Sequence, residues 1–445
     1  MIWTTEQVLA LAPDASSANS GKGLASPRKW VSLGANEVCA WGTIQGSGKS
    51  PYLAAIDFNG PAFKCTCPSR KFPCKHGLGL FLILAQQPPA LTEKTPPAWT
   101  TEWLAKRADK SEKKPAAGVD SATQLDPEAA QKAAAAAAKR LASRAARVAA
   151  GLDELSVWLE DLVRSGFTTL PGKPASFWES PAARLIDAQA PGLARRVSGW
   201  DGITTLGERW PARLLREAGL LHLLREGWSR LDTLPKPVQA DLRSTIGFNL
   251  DQEEVLAQTG IRDHWMVVAR RIEENDRLRT QRIWLFGRNS KRPALSLSFS
   301  ATPSQPLDLS LSAGTTIDAE LVFFPGAWPL RALVKTRHES TLDSSGLWPL
   351  QSIAEANSLA AEALTANPWI ERLPFAFAAV TPIPRAQGWI IRDTAGHSLP
   401  LDITGTKAWV MYSLSGGNPV GLAGEWDGEL FAPLSLLVEG RFLPL

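Results

Sequence analysis

The order of apolar and polar positions divides the 445 residues into stretches of different period. Residues 4–12 read as a short helix, with Thr4 or Thr5 as cap and Glu6 in the first turn. From Val38 the period falls toward two: VCAWGTIQ and PYLAAIDF are partly alternating apolar runs, and GSGKS between them is a turn. A Cys- and His-bearing segment follows, then GLGLFLILAQQ, a short apolar helix. The local order is strand, strand, knuckle, helix.

Residues 88–126 are rich in Pro, Lys and Ala without a sustained period and read as a linker, part of which Trp99 and Trp103 dock onto another surface. A long helix starts at Asp126-Pro127-Glu128, the Asp as cap and the Pro at the first position. Along it Leu141, Val148, Leu152, Leu155, Leu159 and Leu162 recur at spacings of three, four and seven, which marks one buried face. Helical patterns continue over 178–198, 208–228, 235–246 and 251–275, cut by Pro and Gly. TQRIWLFGR, ALSLSFSA, DAELVFFP and RALVKT read as strands, and SIAEANSLAAEALTAN as a helix at 352–367. FAFAAVTPI, GWIIRD, LPLDI, KAWVMYSL and LSLLVEG then read as strands to the end. The expected architecture is a multidomain α+β chain. Residues 1–87 form a small ββα knuckle module, 88–126 the linker, 127–276 a helical domain and 277–445 a β-rich domain.

Charge refines this picture. The net +4 conceals a balance of +8 over residues 1–150 (19 Lys+Arg, 11 Asp+Glu) and −4 over the remainder (29 and 33). A basic N-terminal third suits nucleic acid, and equally suits the solvation of a linker and of an anionic metal site. The 18 Trp are scattered from Trp3 to Trp426, as core anchors would be. The first residues lack a signal-peptide pattern, and the longest apolar run, Gly77–Ala85, is far short of the ~20 residues that span a bilayer. A cytoplasmic protein is expected.

Only four Cys occur, three of them within ten residues, which points to metal rather than to a disulfide framework. The spacing Cys65-x-Cys67-x6-Cys74-x-His76 offers zinc three thiolates and an imidazole, the donors it favours in a tetrahedron. The loop PSRKFP gives the chain room to return, and His76 opens the apolar helix, so one zinc ion clips helix to hairpin. A module this small should owe the metal much of its stability. Lys64, Arg70, Lys71 and Lys75 surround the thiols, with no acidic residue between 58 and 92. They favour the thiolate forms, and they are also the candidate contacts for nucleic acid or a partner.

CTCPSRKFPCKH resembles the SWIM zinc finger, and the hairpin with Gly46, Ser47, Gly48 and Tyr52 and the helix after His76 are similar to that family's surroundings. The resemblance spans about residues 30–87 and includes all four ligand positions. AARLIDAQAPGLARRV further resembles bacterial proteins with an N-terminal SWIM finger. SWIM fingers are regarded as DNA- or protein-interaction modules. Bacterial proteins of this layout resemble members of gene neighbourhoods encoding a MoxR-type AAA+ ATPase and von Willebrand A domain proteins, which implies an adaptor role.

Other signals weigh against chemistry. Gly46-Ser-Gly-Lys49-Ser50 has the tail of a phosphate-binding loop, but Thr43 stands where that pattern needs Gly, and the stretch joins two strands. Cys39 sits on an apolar strand and is expected to be buried. His222, His264, His338 and His397 are single, His264 expected inside a helix and His397 in an exposed turn. Catalytic zinc usually keeps a position open for water, whereas this set fills all four. A non-enzymatic zinc protein that binds a protein partner is expected, with DNA or RNA binding through the basic module as the alternative.

Overall fold

The computed structural model describes residues 3–112, 127–300, 307, 311–341 and 352–445, without 4, 10, 14, 47–49, 59–61, 70, 206 and 276–277. The chain begins with helices α1 (Thr5–Leu9) and α2 (Ala15–Gly23). Strands β1 (Ser32–Ala35), β2 (Cys39–Ile44), β3 (Tyr52–Asp57) and β4 (Ala62–Cys65) follow as an antiparallel meander. Helix α3 (Lys75–Gln86) packs on β2, β3 and β4. The sequence pattern gave only two of the four strands, because β1 and β4 are four residues each. It also missed α2, whose ASSANSGKG is a weak helix former. Tertiary packing holds it: Gly21 lies so close to α3 that an added Cβ would sit 2.8 Å from the Leu78 Cβ.

Alternation sorts the sheet's two faces. Ala40, Ile44, Ala54 and Ile56 face Leu78, Phe81 and Leu82 of α3 in one core with Trp3, Val8 and Trp30. Cys39, Trp41 and Ala55 face the other way, against Trp99, Trp103 and Leu104. Those last residues belong to α4 (Ala98–Glu112), which corrects the expected linker. Residues 88–112 are a folded strap. Glu93 accepts from Trp41 Nε1 at 3.1 Å, and Arg107 Nε donates to the buried Asp57 at 3.0 Å. Two Trp one helical turn apart give α4 an apolar stripe that a composition count overlooks. The rest of the expected linker, 113–126, lies outside the described residues.

The middle region is helical: α5 (Pro127–Ser165), α6 (Ser176–Asp187), α7 (Pro191–Ser198), α8 (Trp210–Ser229), α9 (Lys236–Ile246) and α10 (Gln252–Leu256). Val148, Leu152, Leu155, Leu159 and Leu162 of α5 are buried against Trp178, Leu193, Trp200, Leu214 and Leu221. Leu141, assigned to the same face, is 50% exposed, because the N-terminal part of α5 runs beyond the helices that cover the rest. Trp158 stacks on Trp200 at 5.8 Å and meets Trp178 edge-on at 6.2 Å.

The expected helix over 251–275 is overturned. α10 stops at Leu256, and β5 (Ile261–Asn275) pairs with β6 (Leu278–Gly287) and β8 (Thr316–Phe323). Trp265 and Val267 enter one core while Met266 and Val268 enter another. A strand covered on both faces is continuously apolar and loses the alternation that would have revealed it. The β-rich domain therefore starts near residue 260 rather than 277. With β7 (Pro293–Ser300) and β9 (Ala332–Thr341) these strands form a sheet of order β7-β6-β5-β8-β9. Helix α11 (Ile353–Ala366) follows, started by a Ser352–Glu355 capping box.

The second sheet comprises β10 (Leu373–Pro384), β11 (Trp389–Asp393), β12 (Ser398–Pro400), β13 (Val420–Trp426), β14 (Phe431–Val438) and β15 (Arg441–Pro444), in the order β12-β11-β10-β13-β14-β15. KAWVMYSL, expected as a strand, lies in helix α12 (Gly405–Ser415), with Ala408, Met411 and Ser415 buried at three- and four-residue spacing. Between the sheets, Glu425 is fully buried and takes Arg282 Nε at 2.8 Å and Trp284 Nε1 at 2.9 Å. The helical region meets this domain through Trp369, which is buried in the bundle's core, and through polar contacts. Trp369 Nε1 donates to the Leu220 carbonyl at 3.0 Å, and the Ala327 amide donates to the Asp241 carboxylate at 2.8 Å. No helix among the described residues is long and apolar enough to cross a membrane.

Candidate metal centre

Strand β4 delivers Cys65 at its last position, and the pairing of Cys65 with Ala54 places it on the α3 side of the sheet. The chain leaves β4 tied to β3: Thr66 Oγ1 accepts from the Leu53 amide at 2.9 Å, and the Thr66 amide donates to the Leu53 carbonyl at 3.1 Å. It then turns through Cys67 and returns at Cys74, whose extended backbone caps α3. Phe72 fixes the return by meeting Phe63 of β4 edge-on at 6.1 Å, and Phe63 meets Phe81 of α3 in the same manner at 5.7 Å. His76 is buried in the first turn of α3.

These elements bring the ligand atoms of Cys65, Cys67, Cys74 and His76 within 4.8 Å of one another. His76 Nδ1 is 3.8 Å from Cys65 Sγ and 4.0 Å from Cys74 Sγ. Zinc bonds of about 2.3 Å to sulfur and 2.0 Å to nitrogen imply tetrahedral edges of roughly 3.5–3.8 Å, so the residues fit the ion with a slight contraction. The imidazole has its own support. The Tyr52 ring lies 5.2 Å from it, and Gly46 makes room for that ring, since a Cβ there would come within 2.1 Å of it. The sequence resemblance had marked Gly46 and Tyr52; the structure gives both a positioning role.

The thiols also share protons. Cys74 is lowered to about 4, chiefly by the hydrogen bond from the Cys65 thiol, against burial and with help from His76 and the Gly77 amide. Cys65 is raised by its hydrogen bond to Cys74 and by burial, and Cys67 is raised chiefly by burial. Zinc displaces such protons on binding. Cys39 takes no part: it lies on the opposite face of the sheet, where burial and Asp57 push its thiol up to about 11.

The cations separate. Lys64 Nζ donates to the Trp99 carbonyl at 3.3 Å and lies 5.7 Å from that ring, so it serves α4. Lys71 and Lys75 are exposed and line a cleft of about 650 Å³ that Cys67, His76 and Ser20 share. Arg70 lies outside the described residues. Of the single histidines, His264 is exposed on β5 rather than inside a helix, and His397 Nδ1 is 3.4 Å from Asp393.

Four protein ligands, local in sequence and two of them buried, define a closed structural zinc site. Residues 64–85 match the SWIM zinc finger family, and residues 143–246 match the SWIM-associated four-helix bundle domain. The two matches fall on the metal knuckle with α3 and on the span from α5 to α9, and the four ligands are arranged to hold one zinc ion. No curated protein and no solved structure matches the chain.

Proposed function

We propose that this chain is a zinc-structured adaptor without catalytic chemistry of its own, whose N-terminal module engages a protein partner. The observation that carries this reading is the closed centre: Cys65, Cys67, Cys74 and His76 use all four positions a tetrahedral zinc offers, leaving none for a substrate or an activated water. The family matches support an interaction role for the finger and pair it with a helix bundle. Among protein partners, a MoxR-type AAA+ ATPase with von Willebrand A domain proteins is the system suggested by the resemblance of the whole layout.

Nucleic acid is the second reading, favoured by the exposed Lys71 and Lys75 beside the centre. It is weakened by Lys64, which is turned toward α4. Capture from nuclease-treated lysate with wild type and Cys74→Ser separates the two. A protein that accompanies wild type and is lost with the variant is expected. Loss of all capture on nuclease treatment, with steeply salt-dependent binding to an oligonucleotide, would transfer the function to nucleic acid.

A further inference from the structure

A cleft of about 540 Å³ opens between the helical region and the C-terminal domain. Its size is that of small-molecule sites, roughly 300–1,000 Å³, and domain boundaries are where such sites collect. Arg195 and Arg196 of α7 line it with Arg213 and Arg216 of α8, and Arg372 stands on the C-terminal side. Trp200, Ile203 and Ile370 supply an apolar wall.

Much of this charge is internally balanced. Glu371 pairs with Arg195 and Arg196, Asp427 takes Arg213 Nη2 at 2.9 Å, and Glu217 takes Arg216 Nη2 at 3.1 Å. Five guanidiniums thus face three lining carboxylates, an excess of two. Glu429, just outside, reaches Arg213 and Arg216 at 3.6 and 3.7 Å and reduces the excess to one.

The surplus is localised. Arg372, about one-third exposed, makes no hydrogen bond among the described residues. Its one ion pair is a 3.6 Å approach to Glu425, a carboxylate already taken by Arg282 and Trp284. Arg216 lines the cleft with Nη2 on Glu217 at 3.1 Å and with Nη1 only 3.7 Å from Glu429. A guanidinium carries five donors, so both side chains keep hydrogen-bonding capacity for a ligand in the cleft. A seam held only by ion pairs would give each lining cation a carboxylate of its own, whereas Arg372 shares Glu425 with Arg271 and Arg282.

We infer that this cleft binds the phosphate group of a small organic molecule, with Arg372 and Arg216 as donors that close on it. A planar carboxylate matches one guanidinium fork, whereas a tetrahedral phosphoryl group presents oxygens to forks arriving from two walls. The apolar wall and the volume suit a molecule larger than the bare ion.

Calorimetric titration of the zinc-loaded full chain with inorganic phosphate, glucose 6-phosphate and AMP, at constant ionic strength, tests this. At least one organic phosphate should bind one-to-one and more tightly than inorganic phosphate. Arg372→Gln should raise its dissociation constant at least tenfold and Arg372→Lys by less, while Arg164→Gln, on the exposed side of α5, changes nothing. Because Glu425 keeps Arg271 and Arg282 when Arg372 is neutralised, the Gln variant should melt with wild type. Absence of saturable binding for all three probes, equal affinity in Arg372→Gln, or tighter binding of a glutamate-rich peptide would each overturn the inference. None of these outcomes bears on the zinc-dependent partner, which the Cys74→Ser comparison reads separately.

Discussion

The N-terminal module and the helical middle are both built around apolar cores, yet among the described residues only the module groups ligands for a metal. The bundle closes its core with side chains alone, from Val148 to Ile246, and tryptophans fill its centre. The module also has a continuous core, running from Trp3 through Ile56 and Phe81 to Leu91, and the strap of 88–112 covers the sheet's other face. It is therefore larger and better packed than the small knuckle its motif suggests. Its corner between β4 and α3 is held more sparsely than the core. The loop there is fixed by the Thr66–Leu53 pair and the edge of Phe72, while three sulfurs crowd together. Zinc is placed where backbone pairing and packing both run short, so it stabilises a corner rather than substituting for a core.

The largest effect should come from removing the metal. Chelation, or Cys74→Ser, leaves thiols and an imidazole clustered without a cation, and structural zinc sites contribute apparent binding energies of about 10–16 kcal/mol in small fingers. A smaller share is expected here because the apolar core persists. Amide exchange in β4, residues 66–74 and the first turns of α3 should rise by orders of magnitude, with α5–α9 unchanged. Protection of β4 and α3 that is the same with and without zinc would refute the division of labour. Zinc uptake should also release protons, since Cys65 and Cys67 are held in the thiol form by burial and by the shared hydrogen bond.

Legibility follows the same contrast. The metal centre was readable because its ligands are close in sequence and their spacing constrains the chemistry. The long helix was readable because Val148 to Leu162 keep one period, and α11 because Ser352 and Glu355 make its capping box. Errors fell where one segment serves two environments. Residues 265–269 of β5 fill cores on both faces and so resemble a buried helix, and α12 hides its helical period behind β-branched and aromatic residues such as Trp409 and Val410. The strap was missed because its value lies in contacts with Trp41 and Asp57, over 40 residues away. The arginine cleft could not be read at all, since its walls come from α7, α8 and residue 372.

A second test works from the bundle's side. Trp178 is 1% exposed and touches Trp158, Trp200 and Phe177. Trp178→Ala should cost about 3–5 kcal/mol, measured by urea-dependent amide exchange in α5–α9. Zinc stoichiometry should stay at one per chain. Loss of zinc together with the bundle would mean that the two regions fold as a unit, and the contrast between them would fail.

The smallest expected effect concerns the seam between bundle and β-rich domain. Asp241 on α9 is buried, and burial raises its carboxyl to about 6, against the hydrogen bond from the Ala327 amide. A carboxyl raised above its usual value favours the protonated native state. The stability it contributes is complete below about pH 4 and is lost as the pH climbs through about 6. At neutral pH the seam therefore contains an ionised carboxylate at a cost of up to about 3 kcal/mol. Asp241→Asn keeps an oxygen for the Ala327 amide and removes the charge. Its advantage over wild type in urea unfolding should be larger at pH 7.5 than at pH 4.5, by about 2 kcal/mol. A difference that does not vary with pH would show that Asp241 is solvated in solution and that the seam is looser there than the packing of α9 on residues 326–327 implies.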